Sequence, residues 1–300
     1  MINRMQRHFR ISATQKKTAM VIDLTDFSRQ KVFFNRQIKP ICGDYVTLRK
    51  EQTDFRIDDI LPRDNVFSRA DKHGRKQHLA ANVDQILIIM AVSPEPTRDI
   101  INRYLVAAEL NHIEPILVFN KIDLQTDYFI HIAHSYRQLG YQVHLTSIKD
   151  QDSIQPLQEQ LRTKTTLLAG QSGVGKSSLS NLLFPSLDLK TGELAKKTGK
   201  GAHTTSVTQL YYDKTQDAFL IDSPGVWEYG LWYLTAIEIA QGFREFQDYL
   251  GDCKFSNCSH SHEPNCAVIE AVADGKISEK RYQSFIRICD SMHYWNPTNY

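Results

Sequence analysis

The chain has 300 residues, enough for two or three domains and a sizeable core, and its 41% hydrophobic and 23% charged composition with a formal net charge of +2 is ordinary for a soluble protein. Its longest apolar run, residues 86–92, is far short of the roughly eighteen residues needed to cross a bilayer, and no apolar segment follows the basic start. A membrane span and a secretory signal are excluded on this reading, and a cytoplasmic location is expected.

The small net charge hides an asymmetry. Residues 1–80 carry seventeen Lys and Arg against nine Asp and Glu, whereas residues 81–300 carry nineteen against twenty-five. A basic leading region on an acidic body predicts a polyanionic partner, because each phosphate contact releases condensed counterions. That region reads as short strands over 18–23, 30–34, 45–49 and 55–61, separated by turn signals at Cys42-Gly-Asp44 and Pro62-Arg-Asp64. Four or five such strands suit a small barrel. An OB-fold is preferred, since these barrels offer a face to oligonucleotides, with an SH3-like barrel as the alternative. A basic, polar linker over 69–78 is expected to lead into the next domain.

From residue 84 strand and helix alternate: strand 84–92, helix 99–110, strand 116–119, helix 127–139, strand 142–145, helix 154–161 and strand 165–169. The pattern predicts a doubly wound, mostly parallel α/β sheet. Its loops carry the chemistry. Asn120-Lys121-Ile-Asp123 ends an apolar strand; the Asp123 carboxylate can accept both hydrogen bonds from guanine N1–H and the N2 amino group, which adenine does not present there. Asn120 can tether neighbouring loops, and the Lys121 stem can lie against the purine face. Thr146-Ser147, after the next strand, fits a short loop that closes over the base.

The run Gly170-Gln171-Ser172-Gly173-Val174-Gly175-Lys176-Ser177 fits G-x-x-x-x-G-K-[ST] after a strand, with Ser178 counted in the same phosphate cradle. The glycines let backbone N–H groups point at phosphates, Lys176 reaches the β/γ oxygens, and Ser177 offers a hydroxyl to Mg²⁺. Residues 191–205, ending in Gly199-Lys-Gly-Ala-His203-Thr204-Thr205, read as a switch loop in which Thr204 or Thr205 can reach Mg²⁺ and the γ-phosphate. Asp222-Ser-Pro-Gly225 then fits D-x-x-G, its carboxylate holding Mg²⁺ through water and the Gly225 N–H sensing the γ-phosphate. In the common GTPase order the base-reading elements come last; here they come first. The core is circularly permuted, which preserves the site because the same loops still leave the carboxyl ends of the same parallel strands.

The C-terminal third holds Cys253, Cys258, His260 and Cys266, spaced C-x4-C-x-H-x5-C, a ligand set for one closed, structural Zn²⁺. His262 is an alternative ligand to His260. Cys42 and Cys289 are isolated and read as buried thiols. Helices are expected near 237–246 and 278–289.

Taken together, these motifs resemble the small ribosomal subunit biogenesis GTPase A family across nearly all of the chain. The resemblance implies an OB-like RNA-binding barrel at 1–75, a circularly permuted P-loop GTPase domain at 76–232 and an α-helical zinc domain at 233–300. It implies a GTP hydrolase that cycles between GTP and GDP with Mg²⁺, binds the small ribosomal subunit and its rRNA, and acts late in maturation, and it favours His260 as the zinc ligand; a monomer is expected. Val226 follows Gly225 where Ras-like enzymes carry a water-orienting glutamine, so slow intrinsic hydrolysis is expected. His203 is the replacement candidate, on its place beside the switch threonines and on the resemblance. Two other readings stand beside this one: a nucleotide-gated RNA-binding module or guanine-nucleotide sensor with incidental hydrolysis, and a permuted GTPase of the large subunit.

Overall fold

The computed structural model describes residues 8–71, 73–97, 99–124, 127–187, 207–223 and 230–292. Strands β1 (Phe9–Gln15), β2 (Thr18–Asp23), β3 (Arg29–Phe33), β4 (Tyr45–Glu51) and β5 (Asp54–Ile60) close into a barrel of order β1-β2-β3-β5-β4. The parallel β3–β5 pairing and the return of β4 to β1 give the OB-like arrangement rather than an SH3-like one. Alternate side chains turn inward, so Ile11, Val21, Val32, Val46 and Ile57 fill the barrel.

The segment expected as a linker is a β-hairpin, β6 (Val66–Ala70) with β7 (Lys76–Ala81). Phe67, Leu79 and Ala80 are buried beneath it, while its charged tip follows an Asx turn in which the Asp71 carboxylate accepts from the amides of His73 and Arg75 at 2.7 and 2.9 Å. The polar tip hides two short strands from a composition reading. This hairpin runs through the expected division at 75/76.

The second sheet has six strands in the order β10-β9-β8-β11-β13-β12, formed by β8 (Gln85–Ala91), β9 (Glu114–Asn120), β10 (Gln142–Thr146), β11 (Thr165–Ala169), β12 (Gln209–Asp213) and β13 (Ala218–Asp222). All neighbours run parallel except the β12 edge, antiparallel to β13. The continuous apolar run of β8 is buried at every position because helices cover both faces. One face packs on α1 (Ile100–Leu110) and α2 (Asp127–Gln138), the other on α3 (Gln155–Gln160) and α4 (Lys176–Leu183). Strand order reverses direction between β8 and β11, where ligands of such sheets bind.

Beyond the sheet lie α5 (Ala236–Gln241), α6 (Ala267–Ala273) and α7 (Glu279–Met292), packed through Phe243, Phe246 and Phe285 onto the same core as α1. Thr235 and Glu238 form a capping box that starts α5. Arg281 of α7 is buried against Glu245 at 2.5 Å and bonds Asn102 of α1, while Arg287 grips Asp99 at 2.6 and 2.7 Å. These charged groups are paired and hydrogen-bonded, as burial requires. Among the described residues no helix is long and apolar enough to cross a membrane.

Candidate nucleotide site and metal centre

The loop after β11 is shaped by glycine. Gly170, Gly173 and Gly175 have φ of 134°, 83° and 95°, and a side chain on Gly170 would overlap the Ile89 carbonyl oxygen. At Gly175 a Cβ would lie 2.6 Å from Asn120 Nδ2. Gly175 precedes the first turn of α4, so the helix N-terminus and the loop amides face one anion-accepting region. Val174 is buried beneath the loop; Ser172 and Gly173 are exposed, and Ser177 and Ser178 are half-buried in the first turn of α4.

Lys176 Nζ donates to the carbonyl oxygens of Gly170, at 2.8 Å, and Gln171. Burial pushes its ammonium down to about 8, against the pull of Asp222. Asp222 ends β13, and burial pushes its carboxyl up to about 6, against the pull of Lys176. The cation and the carboxylate are thus both disfavoured by burial and act on each other, a charge pair chemically suited to a phosphate and a divalent metal, whose opposite charges would replace the missing water. Next to it, Ser223 is buried and shares a 2.9 Å hydroxyl contact with Thr208.

Asn120 is buried and ties three elements. Its Nδ2 donates to Val174 O in the phosphate loop at 2.9 Å, and its Oδ1 accepts from Thr146 Oγ1 at 3.1 Å. Lys121, in the left-handed region at φ 61°, sends Nζ to Ser93 O and Gly173 O, both at 2.7 Å. Asp123 accepts from Ser147 Oγ on Oδ1 at 2.7 Å and pairs with Lys149 Nζ on Oδ2 at 2.6 Å. The Lys149 bond first, and the Ser147 bond second, hold its carboxyl below the usual carboxylate range. The phosphate loop, Asn120-Lys121-Ile-Asp123 and Thr146-Ser147 are thus joined at the carboxyl ends of β11, β9 and β10. The loop following β8 also enters: Gln171 Oε1 accepts from Thr97 N at 3.0 Å. Neither Thr97 nor Lys149 stands in a sequence motif; only the neighbouring turn positions signal them.

The switch segment 191–205 with His203, Thr204 and Thr205, and Gly225 with Val226, lie outside the described residues.

A second cluster sits between α5 and α7. One ligand atom from each of Cys253, Cys258, His260 and Cys266 lies within 4.8 Å of the others. Cys253 Sγ is 3.8 Å from Cys266 Sγ, and His260 Nδ1 is 3.5 and 3.4 Å from the same two sulfurs. A tetrahedron with bonds of about 2.3 Å to sulfur has edges of about 3.8 Å, so the set fits Zn²⁺. His260 turns Nδ1 inward, whereas exposed His262 shares its Nδ1 with Ser261 Oγ at 2.7 Å. The ligand loop is braced by Glu263, which accepts from Ser259 N and Oγ at 2.7 Å, and by Tyr282, whose hydroxyl donates to His260 O at 2.9 Å.

A G-x-x-x-x-G-K-S loop at the switch point of a parallel sheet, with an Asn-Lys-x-Asp loop supplied by strands that come earlier in the chain, defines the circularly permuted P-loop GTPase fold. Residues 60–232, more than half of the chain, match the RsgA GTPase family. The chain belongs to that family and is a GTP hydrolase. It is similar throughout to the solved structure of YjeQ from Thermotoga maritima, at 29% identity and a TM-score of 0.77 over 95% of this chain and 98% of that one. It is similar also to YloQ, described as a circularly permuted GTPase, at 27% identity and a TM-score of 0.71 over 99% of both chains.

Proposed function

We propose that this GTPase binds the small ribosomal subunit in its GTP state, acts late in the subunit's maturation in the cytoplasm, and leaves after hydrolysis that the subunit stimulates. The observation that carries the reading is the barrel, whose surface holds a concavity lined by Lys16, Lys17, Arg36 and Arg56 around Phe33 and Phe34. Cations track a phosphate backbone and aromatic rings stack on bases, a combination suited to rRNA. The barrel is locked to the catalytic sheet, so RNA held there also fixes the orientation of the nucleotide site.

Within this proposal the barrel unit runs to residue 75, the GTPase unit over 76–232 and the zinc unit over 233–300, with the β6–β7 hairpin as the joint between the first two. Gly170 through Ser178 cradle the phosphates. Lys176 neutralises them, Ser177 and Asp222 hold Mg²⁺, and Asn120, Lys121, Asp123, Thr146 and Ser147 build the guanine site. Thr204, Thr205 and Gly225 sense the γ-phosphate, and His203 orients or deprotonates the attacking water. Zn²⁺ on Cys253, Cys258, His260 and Cys266 folds the C-terminal unit and has no open position for catalysis.

Co-sedimentation tests the partner. Small subunits should retain the protein with a non-hydrolysable GTP analogue and release it with GDP, and reversal of Lys16, Lys17 and Arg36 to Glu should weaken retention without altering nucleotide affinity. Equal retention on large subunits, or indifference to nucleotide, would count against it. The alternative of an RNA-binding module with incidental hydrolysis predicts retention without stimulated turnover.

A further inference from the structure

We propose that Lys149 is a positioning residue for guanine recognition, fixing the carboxylate of Asp123 in the plane that meets the base. The inference deepens the reading of Asp123 as the base reader and rests on it.

The two lysines near this site have different tasks. Lys121, the lysine of the Asn-Lys-x-Asp run, spends its ammonium on the carbonyls of Ser93 and Gly173 and so ties the phosphate loop. The cation that faces the base-reading carboxylate is Lys149, 2.6 Å from Asp123 Oδ2. It is brought there by a closed turn: Asp150 N donates to Ser147 O at 3.0 Å and Lys149 N to Ser147 Oγ at 3.2 Å. Ser153 Oγ accepts from Ser147 N at 3.0 Å and donates to Asp150 O at 2.6 Å, which anchors the turn to the chain beyond it. The same Ser147 hydroxyl that receives the Lys149 amide donates to Asp123 Oδ1 at 2.7 Å.

Each carboxylate oxygen has two acceptor directions. Ser147 takes one on Oδ1 and Lys149 one on Oδ2, so the carboxylate cannot turn about its terminal bond, and one acceptor direction on each oxygen remains for a ligand. Guanine offers a matching pair of donors, N1–H and the N2 amino group. Hypoxanthine offers N1–H alone, which a rotating carboxylate can still meet. Lys149 therefore contributes selectively to the two-point contact. Its side chain is 72% exposed, so water screens the pair until a base covers it, and its removal leaves the core untouched.

The test measures binding of GTP, ITP and ATP to the full chain and to Lys149→Met and Lys149→Arg, with melting temperature and subunit-stimulated kcat alongside. Lys149→Met should cut the preference for GTP over ITP by about two- to fivefold, the scale of an exposed ion pair. Lys149→Arg should restore it, and melting temperature and kcat should stay at the wild-type values. An unchanged GTP/ITP ratio in Lys149→Met, or an equal loss for both nucleotides, overturns the role of Lys149 while leaving that of Asp123 intact. A wild-type chain that binds ATP as well as GTP overturns both.

Discussion

Arg10, in the first barrel strand, donates a 2.8 Å hydrogen bond from Nη1 to Thr165 Oγ1, at the start of the strand that delivers the phosphate loop. Arg10 is 1% exposed; its guanidinium also reaches Asn82 O at 2.9 Å and Gly43 O at 3.3 Å, and lies over the rings of Tyr45 and Phe219. The planar fork reaches the three elements from three separate nitrogens, a spread that the single ammonium nitrogen of a lysine lacks. Phe27 stacked on Tyr212 at 3.7 Å extends the same contact to the β12 edge. The barrel is thereby seated on the catalytic sheet at the opposite ends of the strands from the nucleotide.

Arg10→Ala should destabilise the chain by about 3 kcal/mol, since it strands buried acceptors that a charged donor now satisfies. Urea unfolding followed by fluorescence reads the loss. A change under 0.5 kcal/mol, about the scatter of surface substitutions, would mean that the seat is not held by this residue.

Asp123→Asn exchanges a two-acceptor group for one donor and one acceptor. GTP affinity should drop on the order of a hundredfold, and xanthosine triphosphate, which presents an acceptor where guanine has its amino group, should bind instead. Isothermal titration with both nucleotides reads the exchange, and an unaltered order of preference would remove Asp123 from the base site.

The Lys176–Asp222 pair predicts a pH signature for the protein without nucleotide. Asp222 has a folded pKa of about 6 against 3.8 for the free group, so between those values the folded chain binds more protons and stability falls as pH rises. The loss is on the order of 3 kcal/mol. Lys176, at about 8 against 10.5, acts in the other direction: above pH 8 the unfolded chain binds more protons and stability recovers. Asp222→Asn should flatten the acid-side slope, raise the melting temperature near pH 7 and abolish the extra stabilisation by Mg²⁺ over GTP alone. An identical slope in the variant would show that Asp222 is not the titrating group.

Purified under reducing, chelator-free conditions, the protein should carry about one Zn²⁺ per chain. Cys258→Ser should lose the metal and the local fold around α6 and α7 while GTP binding survives. Metal analysis with hydrogen exchange separates the two effects, and a metal-free wild-type chain that is protected around α6 would refute the assignment.

Much of this fold was legible because its strands announce themselves. From Ile86 to Ala91 β8 is apolar at every position, as suits a doubly covered parallel strand, and the Gly170 loop follows a strand and opens a helix as its chemistry demands. What stayed hidden has a physical reason in each case. β1 hides because Arg10 and Ser12 are polar yet buried, Arg10 bonded to Thr165 far along the chain and Ser12 to Met20 O on the neighbouring strand, so alternation fails there. β12 is a short edge strand with two half-buried tyrosines, and the β6–β7 hairpin carries its charge at a tip that resembles a linker. Spacing alone leaves His260 and His262 open; the burial of His260 and the inward direction of its Nδ1 separate them. Lys149 has no motif at all; a turn of four residues puts it on Asp123.

GTP turnover in the presence of purified small subunits, by wild type and by His203→Ala, tests the account most directly. Wild type should be slow alone, accelerate many-fold with small subunits, and respond little to large subunits or free rRNA. His203→Ala should keep GTP affinity and GTP-dependent subunit binding, yet lose about two to four orders of magnitude of the stimulated rate. Full stimulated turnover by the variant would contradict the role of His203, and a wild-type rate indifferent to small subunits would contradict the account as a whole.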